Sequence, residues 1–470
     1  MRIVNKAAIW GVRLRRLLVL VAGIAAALLI YRTWSSGLLP GKYQIGAYGV
    51  LLVVYVVTTA LLLMGKNRLY RAGGAVMALL VIAVSSVGIT LISRGDDLLS
   101  RITTSTGHTV SFSVIVHADS PMTDITHVAG KPLRFAEIDE SRAREVKTMT
   151  GAAELVSLAS YADMARMIQG DTAVIGILNE SYRTAIEATD EQFSRRTRVL
   201  KTFHFTEDVK QAAIEAGKPF TIYISGIDTY GPIATVSRSD VNILMTVNPE
   251  KHKVHITTVP RDAYVAIPGA GRNQKDKLTH SGIYGVETSV KTLEQLFAVT
   301  IDGYVRINFT SFMAVIDKIG GVVVDNPRAF TAYNGKAFPA GSVTLNGADA
   351  LAFARERKSL GEGDVGRGRN QMIIIEAILR KLLRANSLAS YDGVLEVLGS
   401  SVQTNITDRS LRQLINQQVA DDWQVTSAVV SGRGQTGGLP SFAMPGYQLY
   451  MYVLDASSVE KESRRIRELR

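Results

Sequence analysis

Six arginines in the second half of the chain lie at the ends of apolar segments, where side chains from distant parts of a fold can meet in one cleft. The guanidinium fork of arginine fits phosphate oxygens, and a helix opening at Arg367 would add free N–H groups and a positive dipole end. Asp228 and Asp240 are close by in sequence, and carboxylates hold Mg²⁺. Any single arginine is more simply explained as a surface ion pair, but the set favours a Mg²⁺-assisted pyrophosphate site. The six are Arg238, Arg261, Arg355, Arg357, Arg367 and Arg369.

The segments that must position these residues alternate between strand and helix patterns. FTIYISGID, DVNILMTVN and KVHITTVP predict strands in quick succession, and later helices are predicted over 285–297, 310–319, 346–354 and 371–383. Arg238 and Asp240 stand two residues apart at the mouth of a strand, so their side chains should share one face. This order predicts an α/β sandwich with a central mixed sheet.

Other chemistries have little support in the sequence. Cysteine is absent, which excludes disulfides and thiolate sites, and neither a G-x-S-x-G nor an H-E-x-x-H motif is present. GEGDVG at 361–366 matches the dinucleotide-binding pattern, but no predicted strand precedes it and its two acidic residues would repel a phosphate. We therefore expect neither a serine hydrolase, nor a zinc enzyme, nor a dinucleotide-binding protein.

The positive charge of the chain is concentrated near its N-terminus. The net charge is +11, and the first 94 residues contain 11 Lys and Arg and no acidic residue, which leaves 42 basic against 42 acidic residues elsewhere. A DNA-coating surface needs a concentrated basic footprint, so nucleic acid is not an expected partner. The same segment contains three apolar runs, at about 17–31, 43–64 and 72–92, which predict three membrane spans within residues 1–95.

Loop charge predicts the orientation of these spans. Five basic residues precede the first span and three lie in the second loop, against two in the first loop. The positive-inside bias then places the N-terminus in the cytoplasm of a multi-pass membrane protein and everything after Arg94 outside the cell. After a polar linker, residues 109–217 predict a small α/β accessory domain, and the charged end KESRRIRELR predicts a solvated helix.

From about residue 219 to 383 the chain resembles the catalytic domain of the LytR-CpsA-Psr family, bacterial enzymes that move glycans from a polyprenyl pyrophosphate carrier onto the cell wall. The motifs occur in the order of the family: ISGID, SRSDVNILMTVNP, TTVPRD, KLTHSGIYG, INFTSFMAVIDKIGGVVV, LNGADALAFARERK and DVGRGRNQ. Three spans followed by an accessory domain resemble the capsule and exopolysaccharide branch, of the CpsA or Wzg type. The predicted organisation is thus a membrane anchor (1–95), an accessory domain (109–217), a catalytic domain (218–385) and a C-terminal extension (386–470).

The resemblance implies a function and assigns roles within the site. It implies transfer of a capsular polysaccharide or exopolysaccharide from undecaprenyl pyrophosphate to peptidoglycan, with polysaccharide export or assembly proteins as further partners. Asp228 and Asp240 would bind Mg²⁺, and Gln371 would lie in the pocket beside the arginines. Arg369 stands outside the family pattern. The arginines that would hold pyrophosphate oxygens are Arg238, Arg261, Arg355, Arg357 and Arg367.

Three alternatives stay open at this stage. The same pocket could hydrolyse pyrophosphate-linked lipids with water as the nucleophile. Family members are also described as transcriptional attenuators, although the predicted topology leaves only short cytoplasmic segments to touch DNA. A non-catalytic scaffold for polysaccharide export is the third, and it would tolerate the loss of every arginine in the set.

Overall fold

The computed structural model describes residues 6–39, 41–104, 107–227, 236–357, 359–361, 364–383, 402–417 and 423–470. The chain forms two compact units. One combines residues 1–101 with 408–421, and the other combines residues 102–407 with 422–470.

The first unit contains three long apolar helices and one short amphipathic helix. The helices are α1 (Lys6–Ser36), α2 (Gly41–Met64), α3 (Arg68–Thr104) and, from the C-terminal part of the chain, α13 (Asp408–Gln417). Within the first three, Trp10–Ser36, Tyr43–Met64 and Arg68–Asp97 are long and apolar enough to cross a membrane. The three predicted spans are therefore confirmed as candidate membrane helices, and the first is longer than its predicted 17–31 core.

The second unit begins with a five-stranded sheet that lies within the segment predicted as an accessory domain. The strand order is β3-β2-β4-β1-β5; β1 pairs antiparallel with β4 and β5, and β2 pairs parallel with β3 and β4. Its strands are β1 (Gly107–His117), β2 (Pro132–Ala136), β3 (Glu154–Leu158), β4 (Ile175–Asn179) and β5 (Thr197–Asp208). Its helices are α4 (Glu140–Thr150), α5 (Tyr161–Gly170), α6 (Arg183–Glu187) and α7 (Phe193–Arg196).

A six-stranded mixed sheet forms the centre of the predicted catalytic domain, in the order β16-β11-β6-β7-β8-β17. The β6–β11 and β8–β17 pairs are parallel, and the other three are antiparallel. The strands are β6 (Phe220–Ile227), β7 (Ser239–Asn248), β8 (Lys253–Thr258), β11 (Gly303–Asn308), β16 (Val402–Thr404) and β17 (Gln424–Val429). The predicted α/β fold with a central mixed sheet is confirmed.

Both edge strands of this sheet come from the part of the chain that the sequence assigns to a C-terminal extension. β16 pairs with β11 at one edge, and β17 pairs with β8 at the other. The sheet thus continues beyond the predicted boundary at residue 385. Local patterns predict strands but not the distant partners with which they pair, so the sequence did not predict that β16 and β17 complete the two edges of the sheet.

Helices and short hairpins surround the central sheet. The helices are α8 (Leu278–Ser281), α9 (Val286–Phe297), α10 (Phe309–Lys318), α11 (Gly347–Arg355), α12 (Asp364–Leu383) and α14 (Ala456–Leu469). The paired short strands are β9 (Tyr264–Ile267) with β10 (Gln274–Lys277), β12 (Val322–Asn326) with β15 (Gly341–Leu345), β13 (Phe330–Thr331) with β14 (Ala337–Phe338), and β18 (Gly432–Thr436) with β19 (Tyr450–Leu454).

The C-terminal helix α14 is not simply solvated, as its charged sequence predicts. Glu462 and Ile466 are buried, and the Glu462 carboxylate lies 2.7 Å from Nε2 of His255 on β8. Nδ1 of His255 lies 2.9 Å from the Thr426 hydroxyl on β17, and Arg465 forms an ion pair with Glu462 at 2.8 Å. We call His255, Thr426, Glu462 and Arg465 the helix clamp, because they fasten α14 to the sheet.

Candidate functional site

The predicted site begins at the mouth of β7, where a buried polar network fixes the backbone. The Ser239 hydroxyl lies 2.7 Å from the hydroxyls of both Tyr223 and Ser225, and Tyr223 donates to Asn242 at 2.7 Å. These contacts place the Ser239 side chain on the inner face of the sheet. The pairing of β6 with β7 is irregular here, because Gly226 pairs with Val241 and Ile227 pairs with Ser239, so alternation does not by itself decide the face on which Arg238 and Asp240 lie. Arg238 lies close enough to Asp240 to lower the pKa of its carboxyl.

Asp240 is the anionic centre of the site. Its side chain is only 7% exposed, and Oδ1 lies 3.1 Å from Nη1 of Arg261, the first residue of the turn between β8 and β9. The Thr279 hydroxyl on α8 donates to the same oxygen at 2.9 Å. Three separate segments therefore converge on one carboxylate.

Arg261 is itself held by its neighbours. Its carbonyl oxygen accepts a hydrogen bond from the Thr279 backbone N–H at 2.8 Å, and its Nε lies 3.7 Å from a carboxylate oxygen of Asp262. Asp262 is buried and forms an ion pair with Nζ of Lys277 at 2.9 Å. This arrangement orients the guanidinium before any ligand arrives.

The charges around Asp240 keep it ionised. Burial raises the pKa of the Asp240 carboxyl, but the positive charges of Arg261, Arg238 and Arg367 outweigh burial, so the pKa lies well below its ordinary range. Burial likewise opposes ionisation of Asp262, and Arg261, Lys277 and Arg367 lower its pKa. Both carboxylates are therefore negative at neutral pH.

Arg367 reaches this group from the first turn of α12. The helix begins at Asp364, three residues before the opening predicted at Arg367, and a Cβ built on Gly368 would lie 3.5 Å from a Thr258 methyl group at the end of β8. The structure thus brings together the predicted residues Arg238, Asp240, Arg261 and Arg367. With Asp262 and Lys277 added, we call them the arginine cluster.

The other predicted site residues lie on neighbouring elements. Arg355 is the last residue of α11, with its guanidinium carbon 5.8 Å from the ring centroid of Tyr333. Arg357 is exposed two residues later, and Gln371 follows Arg367 by one helical turn on α12. Asp228 lies outside the described residues. The roles of these four residues remain predictions.

A magnesium ion fits the chemistry of the cluster. Mg²⁺ usually keeps several waters and binds one or two carboxylates together with substrate phosphates. The described residues contain no group of three or more His, Asp or Glu side chains arranged around a metal position. Asp240 is ionised, and its Oδ1 contacts Arg261 and Thr279. A carboxylate of this kind is a ligand type that Mg²⁺ binds.

Thr279, Asp262 and Lys277 lie in motifs that the chain shares with the family, but no role was predicted for these three residues. Asp262 directly follows Arg261 in TTVPRD, and Lys277 and Thr279 belong to KLTHSGIYG. Their positions within ordered motifs were the available signal. The contacts of Thr279 with Asp240 and of Lys277 with Asp262 depend on the packing of β10 and α8 beside the β8–β9 turn, which no local pattern encodes.

A mixed α/β domain with an arginine-rich polar site at strand ends, in a chain with three candidate membrane helices, defines the class of protein. A sequence model described as the LytR_cpsA_psr family matches residues 179–462, more than half of the chain. The chain belongs to the LytR-CpsA-Psr family. The match extends beyond the resemblance predicted over 219–383 on both sides.

The chain is similar over part of its length to two named relatives. It is 35% identical over 208 residues to the polyisoprenyl-teichoic acid–peptidoglycan teichoic acid transferase TagU of Oceanobacillus iheyensis, covering 43% of this chain and 64% of that protein. It is 37% identical over 209 residues to TagU of Bacillus mycoides, covering 44% of this chain and 67% of that protein. The chain thus matches only about two thirds of the length of these relatives.

A solved structure gives a comparable match. The crystal structure of TagV from B. subtilis is 29% identical, with a TM-score of 0.46, and covers 54% of this chain and 98% of that one.

Proposed function

We propose that this chain transfers a glycopolymer from a polyprenyl-linked carrier to peptidoglycan. Its family membership supports this reaction class, because the TagU relatives are named as transferases that attach polyisoprenyl-linked teichoic acid to peptidoglycan. The observation that carries the proposal is the buried, ionised Asp240 surrounded by Arg238, Arg261 and Arg367.

The charge balance of the arginine cluster indicates an anionic ligand. The described cluster contains four cations and two carboxylates, Asp240 and Asp262, and Lys277 already forms an ion pair with Asp262. Four cations around two buried carboxylates create a positive local potential that attracts a further anion. A pyrophosphate has the charge, and its oxygens have the geometry, that guanidinium groups recognise.

The chain's own residues would act by binding and electrostatics. Arg261 and Arg238 would hold phosphate oxygens and disperse their negative charge. An acceptor hydroxyl of peptidoglycan would attack the phosphorus attached to the polymer, the P–O bond from that phosphorus to the carrier phosphate would break, and the hydroxyl proton would pass to the departing phosphate. The side chains of Arg261 and Asp240 would be held in position by Asp262, Lys277 and Thr279. A bound Mg²⁺ would add Lewis-acid neutralisation of the phosphate oxygens.

The finer assignment is also part of the proposal. We propose undecaprenyl pyrophosphate as the carrier, a capsular polysaccharide or exopolysaccharide as the polymer, and Mg²⁺ as the cofactor. The three candidate spans and the concentration of basic residues near the N-terminus support a membrane protein whose N-terminus is cytoplasmic and whose catalytic domain is extracellular.

The test uses the full chain in lipid nanodiscs with a lipid-linked polysaccharide, Mg²⁺ and peptidoglycan fragments. We expect polymer covalently coupled to peptidoglycan, release of the carrier that rises when the acceptor is added, and loss of both on chelation of the metal. Carrier release that is unaffected by the acceptor would show a hydrolase instead. A parallel reaction with a lipid-linked teichoic acid precursor tests the choice of polymer, since preference for that precursor would overturn the capsule assignment.

A further inference from the structure

The short helix α13 lies against the ends of two candidate membrane spans. Nη1 of Arg412 donates to the carbonyl oxygen of Ser36 and to the Asp96 carboxylate, each at 2.5 Å. Ser36 is the last residue of the first candidate span, and Asp96 is the penultimate residue of the third. The first and third of three consecutive spans end on the same side of a bilayer. Their contacts with α13 therefore place this helix at one membrane–water boundary.

A polar cavity opens between α13 and these span ends. Its volume is about 480 Å³, and its lining includes Ser35, Ser36, Asp96, Arg409 and Gln413. The cavity lies at the depth where lipid headgroups are found if the candidate spans cross the bilayer, because each span ends within two residues of it.

The two arginines of α13 differ in their partners. Arg412 is neutralised by Asp96 and by Asp408, whose carboxylate accepts from Nε at 2.8 Å. Arg409 is exposed and forms no ion pair with any residue that the structure describes. The cavity is lined by two arginines and two aspartates, and Arg409 is the one of the four that forms no ion pair with a described residue, so its guanidinium is the group that a lipid phosphate would contact.

The other residues of α13 also favour a position at the membrane–water boundary. Leu411 and Leu414 are three residues apart on one helical face and are half-buried, while Arg409 and Gln413 lie at the cavity. A helix with apolar residues on one face and a cationic polar face is typical of helices that lie in the interface plane of a membrane.

We propose that α13 is an interfacial helix and that Arg409 binds the phosphate of a glycerophospholipid in the cavity at the span ends. This proposal concerns the anchor and does not depend on the proposed transfer reaction.

The absence of cysteine from the chain allows a direct test. A single fluorophore is attached to the full-length protein through Gln413→Cys, in nanodiscs of phosphatidylglycerol and phosphatidylcholine with a headgroup-attached nitroxide quencher. A matched label at Val53→Cys, an exposed position in the middle of the second candidate span, reports quenching at the centre of the bilayer. We expect strong quenching at position 413 and weak quenching at position 53, because the quencher is attached to the headgroups. Equal quenching at the two positions would overturn the proposal.

Charge variants separate a phosphate site from mere proximity to the membrane. Arg409→Glu should weaken occupancy of the cavity by lipid about fivefold or more and lower the quenching at 413, whereas Arg409→Lys should retain most of it. Arg433→Glu changes the net charge by the same amount and should have no effect. Quenching that is insensitive to Arg409→Glu would overturn the role of this arginine. Quenching that arises only after polyprenyl phosphate is added would overturn the choice of a bulk phospholipid.

Discussion

Two groups of buried charges contact β8 or the turn that follows it, and they differ in charge balance. In the helix clamp, the Glu462 carboxylate is matched by Arg465 and hydrogen bonded to His255. In the arginine cluster, the described cations outnumber the carboxylates, and Asp240 is held ionised by three guanidinium groups. A balanced group of charges can stabilise the fold by itself, whereas a group in which cations predominate favours an anionic ligand, as we propose for the arginine cluster.

The largest expected effect is on transfer, through Arg261. Arg261→Ala should lower the rate of polymer transfer by about 100-fold or more, because one preorganised donor to the phosphates is lost. Arg261→Lys keeps the charge but loses the fork, and we expect it to restore only part of the rate. The measurement is coupled product formed by the full chain in nanodiscs. Exposed Arg433→Ala is the matched control, and wild-type rates in Arg261→Ala would refute the assignment.

The next effect is on stability, through the helix clamp. Glu462→Ala should lower the free energy of unfolding by roughly 1 to 3 kcal/mol, because His255 loses a buried hydrogen bond to a charged group. Transfer by the folded protein should be unchanged. Urea unfolding followed by circular dichroism, beside the transfer assay, measures both quantities. Normal stability with impaired transfer in Glu462→Ala would show that the helix clamp serves the reaction rather than the fold, and would contradict the distinction between the helix clamp and the arginine cluster.

The smallest effect is a pH dependence that belongs to Asp240. Because its pKa is lowered in the folded protein, its ionisation stabilises the fold above the pKa of about 4 of an unfolded aspartate, and this contribution is lost as the pH falls further. The difference in unfolding free energy between wild type and Asp240→Asn should therefore narrow as the pH falls below about 4. Urea titrations of both proteins from neutral pH to pH 3 measure it. A difference that stays constant would mean that Asp240 is not the titrating group.

The parts of the fold that depend on local pattern could be predicted from the sequence. Apolar length identified the candidate membrane helices, and apolar strand patterns identified β6, β7 and β8. That Arg238 and Asp240 share one face stays a prediction, because the strand pairing is irregular at this point. The convergence of Arg261 and Arg367 on Asp240 was expected only because each arginine lies at the end of an element.

Long-range packing accounts for what could not be predicted. The support that Lys277 and Thr279 give to the site depends on how α8 docks, and the burial of Glu462 depends on a histidine far earlier in the chain. One narrow face of α14 is buried although the helix is rich in charged residues, and the apolar residue on that face, Ile466, has charged neighbours in the sequence. The composition of a charged helix is thus a poor guide to its burial when the residues that it contacts are distant in sequence.

The addition of β16 and β17 to the two edges of the central sheet has a consequence for how the protein folds. Until residues 402–404 and 424–429 are available, β11 and β8 present unpaired backbone edges, which favour association between chains. Pairing between segments so distant in sequence is slow to form. During synthesis of the chain, the residues of the arginine cluster on β7 and after β8 would therefore be present before the sheet that supports them is complete. A chaperone that shields exposed strand edges would be most useful during this interval, between the emergence of β8 and the arrival of β17.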